Sequence, residues 1–295
     1  MLNYNQTPVR IITIDDKRSI ASFEIKKTNI DQQTVASFGD EWEKFNSFSQ
    51  EEIKNTGDMY FDIIDFNYIN DQSMVMDVGC GTGRWTKYIA TKVKFVEAVD
   101  PSSAVFSASK LLKDEKNVRI TQASTDNLPF EDNIFDLVFS IGVLHHIPDT
   151  KQAMSDCVKK LRKGGLFLVY LYYSFDNRSF LFKLFFKFSN LIRRIVSSMP
   201  FKVKRITCDL LAIFVYMPFV VTARFLRQLG FSKIANRIPL SIYANQTFNI
   251  IRNDSLDRFG TPLEQRFSKE QIGMMMKNCG LTDIVFSENV PYWHA

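Results

Sequence analysis

The sequence predicts an α/β, doubly wound fold around a mostly parallel sheet, and three observations predict it. Five short apolar runs between Met74 and Tyr172 each lead into polar or helix-like sequence. The first run passes directly into a turn with three alternating glycines, Gly79, Gly81 and Gly83. The second ends on an acidic residue, Asp100, 17 residues beyond Gly83. Continuously apolar strands belong to a sheet covered by helices on both faces, because a half-solvated sheet would alternate polar with apolar residues.

In chain order, Val9–Ile14 and Ser19–Ile25 are rich in β-branched residues and are divided by a polar turn at 15–18, which reads as a hairpin. From Thr34 to Asn70, the aromatics Phe38, Trp42, Phe45 and Phe48 recur at three- and four-residue spacing. That stripe is one face of a helix and reads as packing rather than a ligand box. Residues 1–70 are thus expected to form an N-terminal hairpin and helical cap. Met74–Val78, Phe95–Val99, Val118–Gln122, Phe135–Ser140 and Leu166–Tyr172 are the expected strands of a core over 71–173. The gaps between these runs are long enough for right-handed crossovers.

Beyond Tyr173 the alternation stops. Phe180–Val196 and Cys208–Leu229 read as two amphipathic or buried helices, so residues 174–260 are expected as a helical insert after strand five. The pattern resumes at Ser268, an N-cap with Gln271 at the capping-box position, and the helix it opens ends at Gly280. A final strand at Asp283–Phe286 would let residues 261–295 complete the core.

Composition narrows the class. With 45% hydrophobic and 23% charged residues in 295, the chain has the balance of a well-filled globular protein. The first twenty residues hold no apolar signal core. The longest apolar run, Leu210–Val221, has 12 residues and contains Pro218. A spanning helix needs about 20, so a membrane-spanning chain is not expected. Cys80, Cys157, Cys208 and Cys279 are scattered with no CxxC pair, which supports neither a disulfide framework nor a metal site and leads to a cytoplasmic expectation. Charge is uneven: Ser174–Gly260 carries 14 Lys/Arg against 4 Asp/Glu, a local net of +10, and the remainder is at −5.

Chemistry concentrates at the glycine turn. Glycines after a strand let the backbone turn sharply and approach a ligand closely, and a carboxylate closing the next strand accepts the hydroxyls of a ribose. Two readings meet these facts. Dinucleotide-binding proteins use G-x-G-x-x-G, whereas this turn is G-x-G-x-G with Asp77 two residues ahead of it. The second spacing resembles that of class I S-adenosylmethionine-dependent methyltransferases.

The resemblance extends over residues 70–173. Ser124-Thr125-Asp126-Asn127-Leu128-Pro129-Phe130, Ser140-Ile141-Gly142-Val143-Leu144-His145-His146 and Lys160-Leu161-Arg162-Lys163-Gly164-Gly165 follow in the family's order, closest to its type 11 small-molecule branch. It implies a seven-stranded, Rossmann-like sheet and S-adenosylmethionine as cofactor. Gly79, Cys80, Gly81 and Gly83 would cradle the methionine part, Asp77 its ammonium, Asp100 the ribose, and Pro101 and Ser102 the adenine edge. Ser124, Thr125, Asp126 and Ser140 complete the expected cofactor set. The family often places an aspartate where this chain has Ser124, and Asp126 is a candidate to replace it.

Methyl transfer from a sulfonium needs positioning and exclusion of water, with a base only when the acceptor keeps its proton. His145 and His146 are the candidate bases, because the segment after strand four faces the sulfonium in the family. Tyr172, Tyr173 and Asp176 end strand five, at the sheet edge where ligands bind, and are the substrate candidates. No Asn/Asp-Pro-Pro-Tyr box follows strand four, so nucleic-acid bases are not the expected acceptor. The expected acceptor is an oxygen of a small molecule that is glycan-related, nucleotide-linked or lipid-linked. The alternatives are a cofactor-binding scaffold without turnover and a lipid or quinone methyltransferase at a membrane surface. The basic, aromatic stretch at 180–230 leaves peripheral membrane contact and a homodimer as partner expectations.

Overall fold

The computed structural model describes residues 2–15, 18–44, 48–175 and 180–295. By internal packing the chain forms two compact units, residues 1–176 with 263–295, and residues 177–262.

The first unit is built on a seven-stranded sheet. Its strands are β1 (Arg10–Asp15), β2 (Arg18–Ser22), β3 (Met74–Val78), β4 (Phe95–Val99), β5 (Val118–Gln122), β6 (Phe135–Ile141) and β7 (Leu161–Tyr170). The order across the sheet is β1-β2-β5-β4-β3-β6-β7. All neighbours run parallel except β1 against β2. The chain steps outward from β3 in both directions, so the sheet reverses between β3 and β6. Open α/β sheets form their ligand crevice at the carboxyl ends of the strands at such a point.

The helices of this unit are α1 (Gln32–Lys44), α2 (Gln50–Tyr60), α3 (Arg84–Ala90), α4 (Ala104–Leu111) and α5 (Thr150–Val158). Val75, Met76, Val96, Ala98, Leu137, Val138 and Phe139 are all but inaccessible, which is the continuous burial that uninterrupted apolar strands predict. Two glycines set close helix packing: a Cβ on Gly57 of α2 would lie 2.2 Å from the Tyr88 ring of α3, and one on Gly39 of α1 would lie 2.7 Å from Ser103 Oγ at the start of α4.

Several expectations are corrected. The expected hairpin forms, and it is also an edge of the sheet, since Ala21 and Ser22 pair with Thr121 and Gln122. The helical region at 34–70 is two helices followed by turns; Ser49 caps α2 with a capping box to Glu52. Of the aromatic stripe, Phe45 lies outside the described residues. Strand five ends at Tyr170, so Tyr172 and Tyr173 lie beyond it. Asp283–Phe286 forms no strand; Asp283 has φ +52°, which breaks an extended run. The C-terminal pairing falls later: Tyr170 bridges His294 antiparallel, and Val169 and Ala295 exchange backbone hydrogen bonds of 2.8 and 3.0 Å. The helix opened by Ser268 does form, as Lys269–Asn278 with the expected Gln271 capping box.

The second unit is helical: α6 (Phe180–Ser197), α7 (Phe201–Leu211), α8 (Met217–Gln228), α9 (Ser232–Ala235) and α10 (Phe248–Gly260); Lys269–Asn278 of the first unit is α11. A π turn at Ala212–Tyr216 joins α7 to α8. It lies just ahead of Pro218, whose ring cannot donate to the α ladder, and the wider turn lets the helix continue through it. Phe201–Gln228 is thus one 28-residue helix, long and apolar enough by length and composition to cross a membrane, although only 28% of its apolar window is buried. Counting unbroken apolar residues missed it, because Asp209 and Thr222 bound the run at 12 residues; the helix expected at Cys208–Leu229 does pass through Pro218 but begins earlier, at Phe201.

Candidate cofactor and active site

β3 delivers the glycine turn to the switch point. Gly79, Gly81 and Gly83 all have positive φ (80°, 53° and 83°), a conformation that costs other residues strain. Gly79 and Cys80 donate their amides to Val99 O at 2.7 and 2.9 Å, which pins the turn to the end of β4. A Cβ on Gly79 would lie 2.4 Å from Val143, so the segment after β6 rests directly on the glycine turn. The Cys80 thiol is buried and pushed well up by burial, and its side chain packs between β4 and α4; only its backbone belongs to the loop.

Two carboxylates flank this turn. Asp77 is 1% exposed, and its Oδ2 accepts a 2.6 Å hydrogen bond from Thr86 Oγ1. Burial, against that hydrogen bond and reinforced by the charge of Asp100, pushes its pKa up to about 7. Asp100 accepts from Gly81 N (2.9 Å), Ser102 N (2.8 Å) and Ser102 Oγ (2.6 Å), and burial still raises its pKa. Among the described residues, no lysine or arginine forms an ion pair with either. The turn is therefore a buried negative site short of positive charge. S-adenosylmethionine carries an ammonium and a sulfonium, and a pair of buried carboxylates beside a glycine turn has the chemistry to take such a cation.

The other predicted cofactor residues divide. Ser102 holds Asp100 in place and caps the following turn through Ala104 N at 3.1 Å. Pro101 is half-buried and Thr125 buried beside this end of the sheet. Ser124 donates to Asp126, which also accepts from Thr28 Oγ1 and from Asn29 N at 3.3 Å. Asp126 thus ties the N-terminal segment to the loop, and both its oxygens are already engaged there. Ser140 donates to Val78 O at 2.8 Å and is fully buried, so it fastens β6 to β3.

The two histidines differ in a way sequence could not show. His145 is fully buried and stacks on Tyr172 with centroids 3.9 Å apart. Its Nδ1 accepts the Tyr172 amide at 3.4 Å, which puts the ring proton on Nε2, a buried atom with no hydrogen-bond partner among the described residues. Burial, then the charges of His146 and Arg266, push its pKa well below the usual range. Burial and these neighbours disfavour a charged ring at His145. His146 is held the opposite way round: its Nδ1 donates to Leu263 O at 2.7 Å. Phe38 of α1 packs edge-on against it at 4.8 Å.

Tyr172 and Tyr173 are joined to this cluster by Arg266, whose guanidinium lies 4.9 Å over the Tyr172 ring and donates to Tyr173 O at 3.3 Å. Asp176, the third substrate candidate, lies outside the described residues. Thr86, Leu263 and Arg266 shape the site yet lie outside the motifs, and Leu263 and Arg266 act through contacts far apart in sequence. His294, given no role from sequence, bonds Asp62 Oδ1 at 2.7 Å and Pro291 O at 2.8 Å, and so ties the C-terminus to the end of α2.

Residues 76–169 match the family described as "Methyltransferase domain". Phosphoethanolamine N-methyltransferase 2 of Caenorhabditis elegans is 37% identical over 102 residues, 33% of this chain and 23% of that protein. A ubiquinone biosynthesis O-methyltransferase of Coxiella burnetii is 25% identical over 167 residues, 53% of this chain and 67% of that protein. The YcgJ protein of Bacillus subtilis, a solved structure, superposes with a TM-score of 0.38 at 27% identity, covering 42% of this chain and 54% of that one. The chain thus carries a methyltransferase domain of the class I, S-adenosylmethionine-dependent kind. The matched segments fall far short of the full length of the first of these relatives, and the two named enzymes differ in the acceptor atom, so what is shared is the cofactor domain.

Proposed function

We propose that this protein transfers a methyl group from S-adenosylmethionine to an oxygen of a small-molecule acceptor. The observation that carries the reading is the pair of buried, uncompensated carboxylates around the glycine turn, Asp77 and Asp100. The cofactor supplies an electrophilic methyl group when bound. The residues of the chain hold charge, exclude water and move one proton. Asp77 anchors a cationic group, Asp100 fixes hydroxyls, and His146 Nε2 takes the acceptor's proton. His145 donates from Nε2 to an acceptor oxygen and stays neutral while doing so. An oxygen acceptor suits a site with one neutral donor and one base; the Coxiella relative, named as an O-methyltransferase, supports the same choice.

Calorimetric titration of S-adenosylmethionine into the wild type and Asp100→Ala tests the cofactor half. Micromolar binding that is lost in the variant is the expected result; no binding to the wild type would refute it. Release of S-adenosylhomocysteine in the presence of phenolic and hydroxylated lipids tests turnover, and binding without release would make the protein a scaffold.

A further inference from the structure

The second unit carries a surface that its own packing does not use. On α6, Leu184, Phe188, Leu191 and Ile195 follow a 4-3-4 spacing and are all more than half exposed. On the long helix Phe201–Gln228, Val203, Ile206, Leu210, Ile213, Phe214, Val221 and Phe225 form a second exposed stripe. The opposite side of that helix, through Cys208, Ala212, Tyr216 and Val220, is buried in a core with Ile251 and Phe259 of α10. Each helix is therefore apolar on the side that packs and on the side that faces out. Scattered exposed leucines need no explanation, but continuous apolar stripes on a globular unit mark a surface that meets something.

Charge identifies what it meets. From residue 177 to residue 253 the sequence has a single acidic residue, Asp209, and that one is already paired with Arg252 at 2.6 Å. Lys183, Lys187, Arg194 and Lys202 are exposed among the apolar residues of α6 and α7. A second copy of this chain would bring the same cations face to face across a two-fold interface with no acidic residue to meet them. A span across the bilayer would drag the Asp209–Arg252 pair and the polar residues of α10, Asn253, Asp254 and Asp257, into hydrocarbon. Lying flat satisfies both groups: the apolar stripes enter the acyl boundary and the lysines sit among anionic headgroups.

We infer that residues 180–230 are a monotopic module that seats the protein on an anionic lipid bilayer. The inference does not depend on the acceptor proposed above, but it raises the local concentration of any lipid-soluble acceptor.

The test is flotation of the full chain with vesicles of phosphatidylcholine alone and vesicles in which a third of the lipid is phosphatidylglycerol. The wild type should float with the anionic vesicles, far less with the neutral ones, and less as salt rises. Lys183→Ala combined with Lys187→Ala should weaken partitioning about 25-fold, or about fivefold for each lysine near the surface. Phe188→Asp combined with Phe214→Asp should abolish it; both positions are exposed, so unchanged circular dichroism and melting would show that the fold is intact. Equal binding to both vesicles, no binding to either, or binding unmoved by these changes would overturn the inference. So would resistance to alkaline extraction, which would mark a spanning helix, or a concentration-dependent dimer that does not float. Calorimetry with S-adenosylmethionine in lipid-free buffer keeps this outcome separate from that of the methyltransferase reading.

Discussion

Asp77→Asn should stabilise the cofactor-free protein while destroying its cofactor site. The asparagine keeps the shape and the Thr86 hydrogen bond, and it removes a charge that burial disfavours. In the wild type the carboxyl is raised from its ordinary 3.8 to about 7, so folding favours its neutral form. The stability tied to that neutral form is complete below about pH 4, is lost as pH rises, and levels off above about pH 7. The full loss is about 4 kcal/mol as an upper limit, because local rearrangement and hydration relieve part of it. The variant and the wild type should therefore melt together near pH 4 and separate progressively to about pH 7. For a unit of this size the separation at pH 8 should be about 16 °C at most. Thermal melts across this pH range measure it directly. Added S-adenosylmethionine should raise the wild-type melting temperature at pH 8 and leave the variant unmoved. A stability difference independent of pH would refute the reasoning, because it would mean that Asp77 is ionised and compensated in the free protein.

Three further expectations follow from the same geometry. Gly79→Ala places a Cβ 2.4 Å from Val143 at φ +80°, and should cost about 2 kcal/mol or more in a denaturant melt. His146→Asn should lower kcat about 100-fold or more with little change in the KM for S-adenosylmethionine, and raising pH should restore part of the rate as the acceptor ionises unaided; an unchanged kcat would remove His146 as the base. Asp62→Ala leaves His294 Nε2, Ser287 Oγ and Asn289 Nδ2 without their acceptor and should cost about 2–3 kcal/mol. Burial opposes ionisation of Asp62, but these hydrogen bonds outweigh it and hold its pKa below the ordinary value. The wild-type tie is therefore present above the usual carboxylate range and lost as pH falls through it, a difference the variant should not show.

The sequence by itself determined what depends on local spacing. Five apolar runs name the strands because a strand buried on both faces has no polar side to show. The alternating glycines name the turn because only glycine takes positive φ there cheaply, and Asp77 and Asp100 follow because they close adjacent strands. The capping box at Ser268 and Gln271 was legible for the same local reason. Tertiary structure alone decided what depends on a partner far along the chain. The hairpin becomes a sheet edge through Thr121 and Gln122, about a hundred residues away. His145 and His146 are adjacent and identical in type, yet a Tyr172 amide and a Leu263 carbonyl hold them opposite ways round. The helix expected at Cys208–Leu229 begins earlier, at Phe201, and a π turn ahead of Pro218 carries it through. Spacing records which backbone shapes are cheap; it does not record which distant group will stand beside a ring nitrogen, and that is where the chemistry of this site is set.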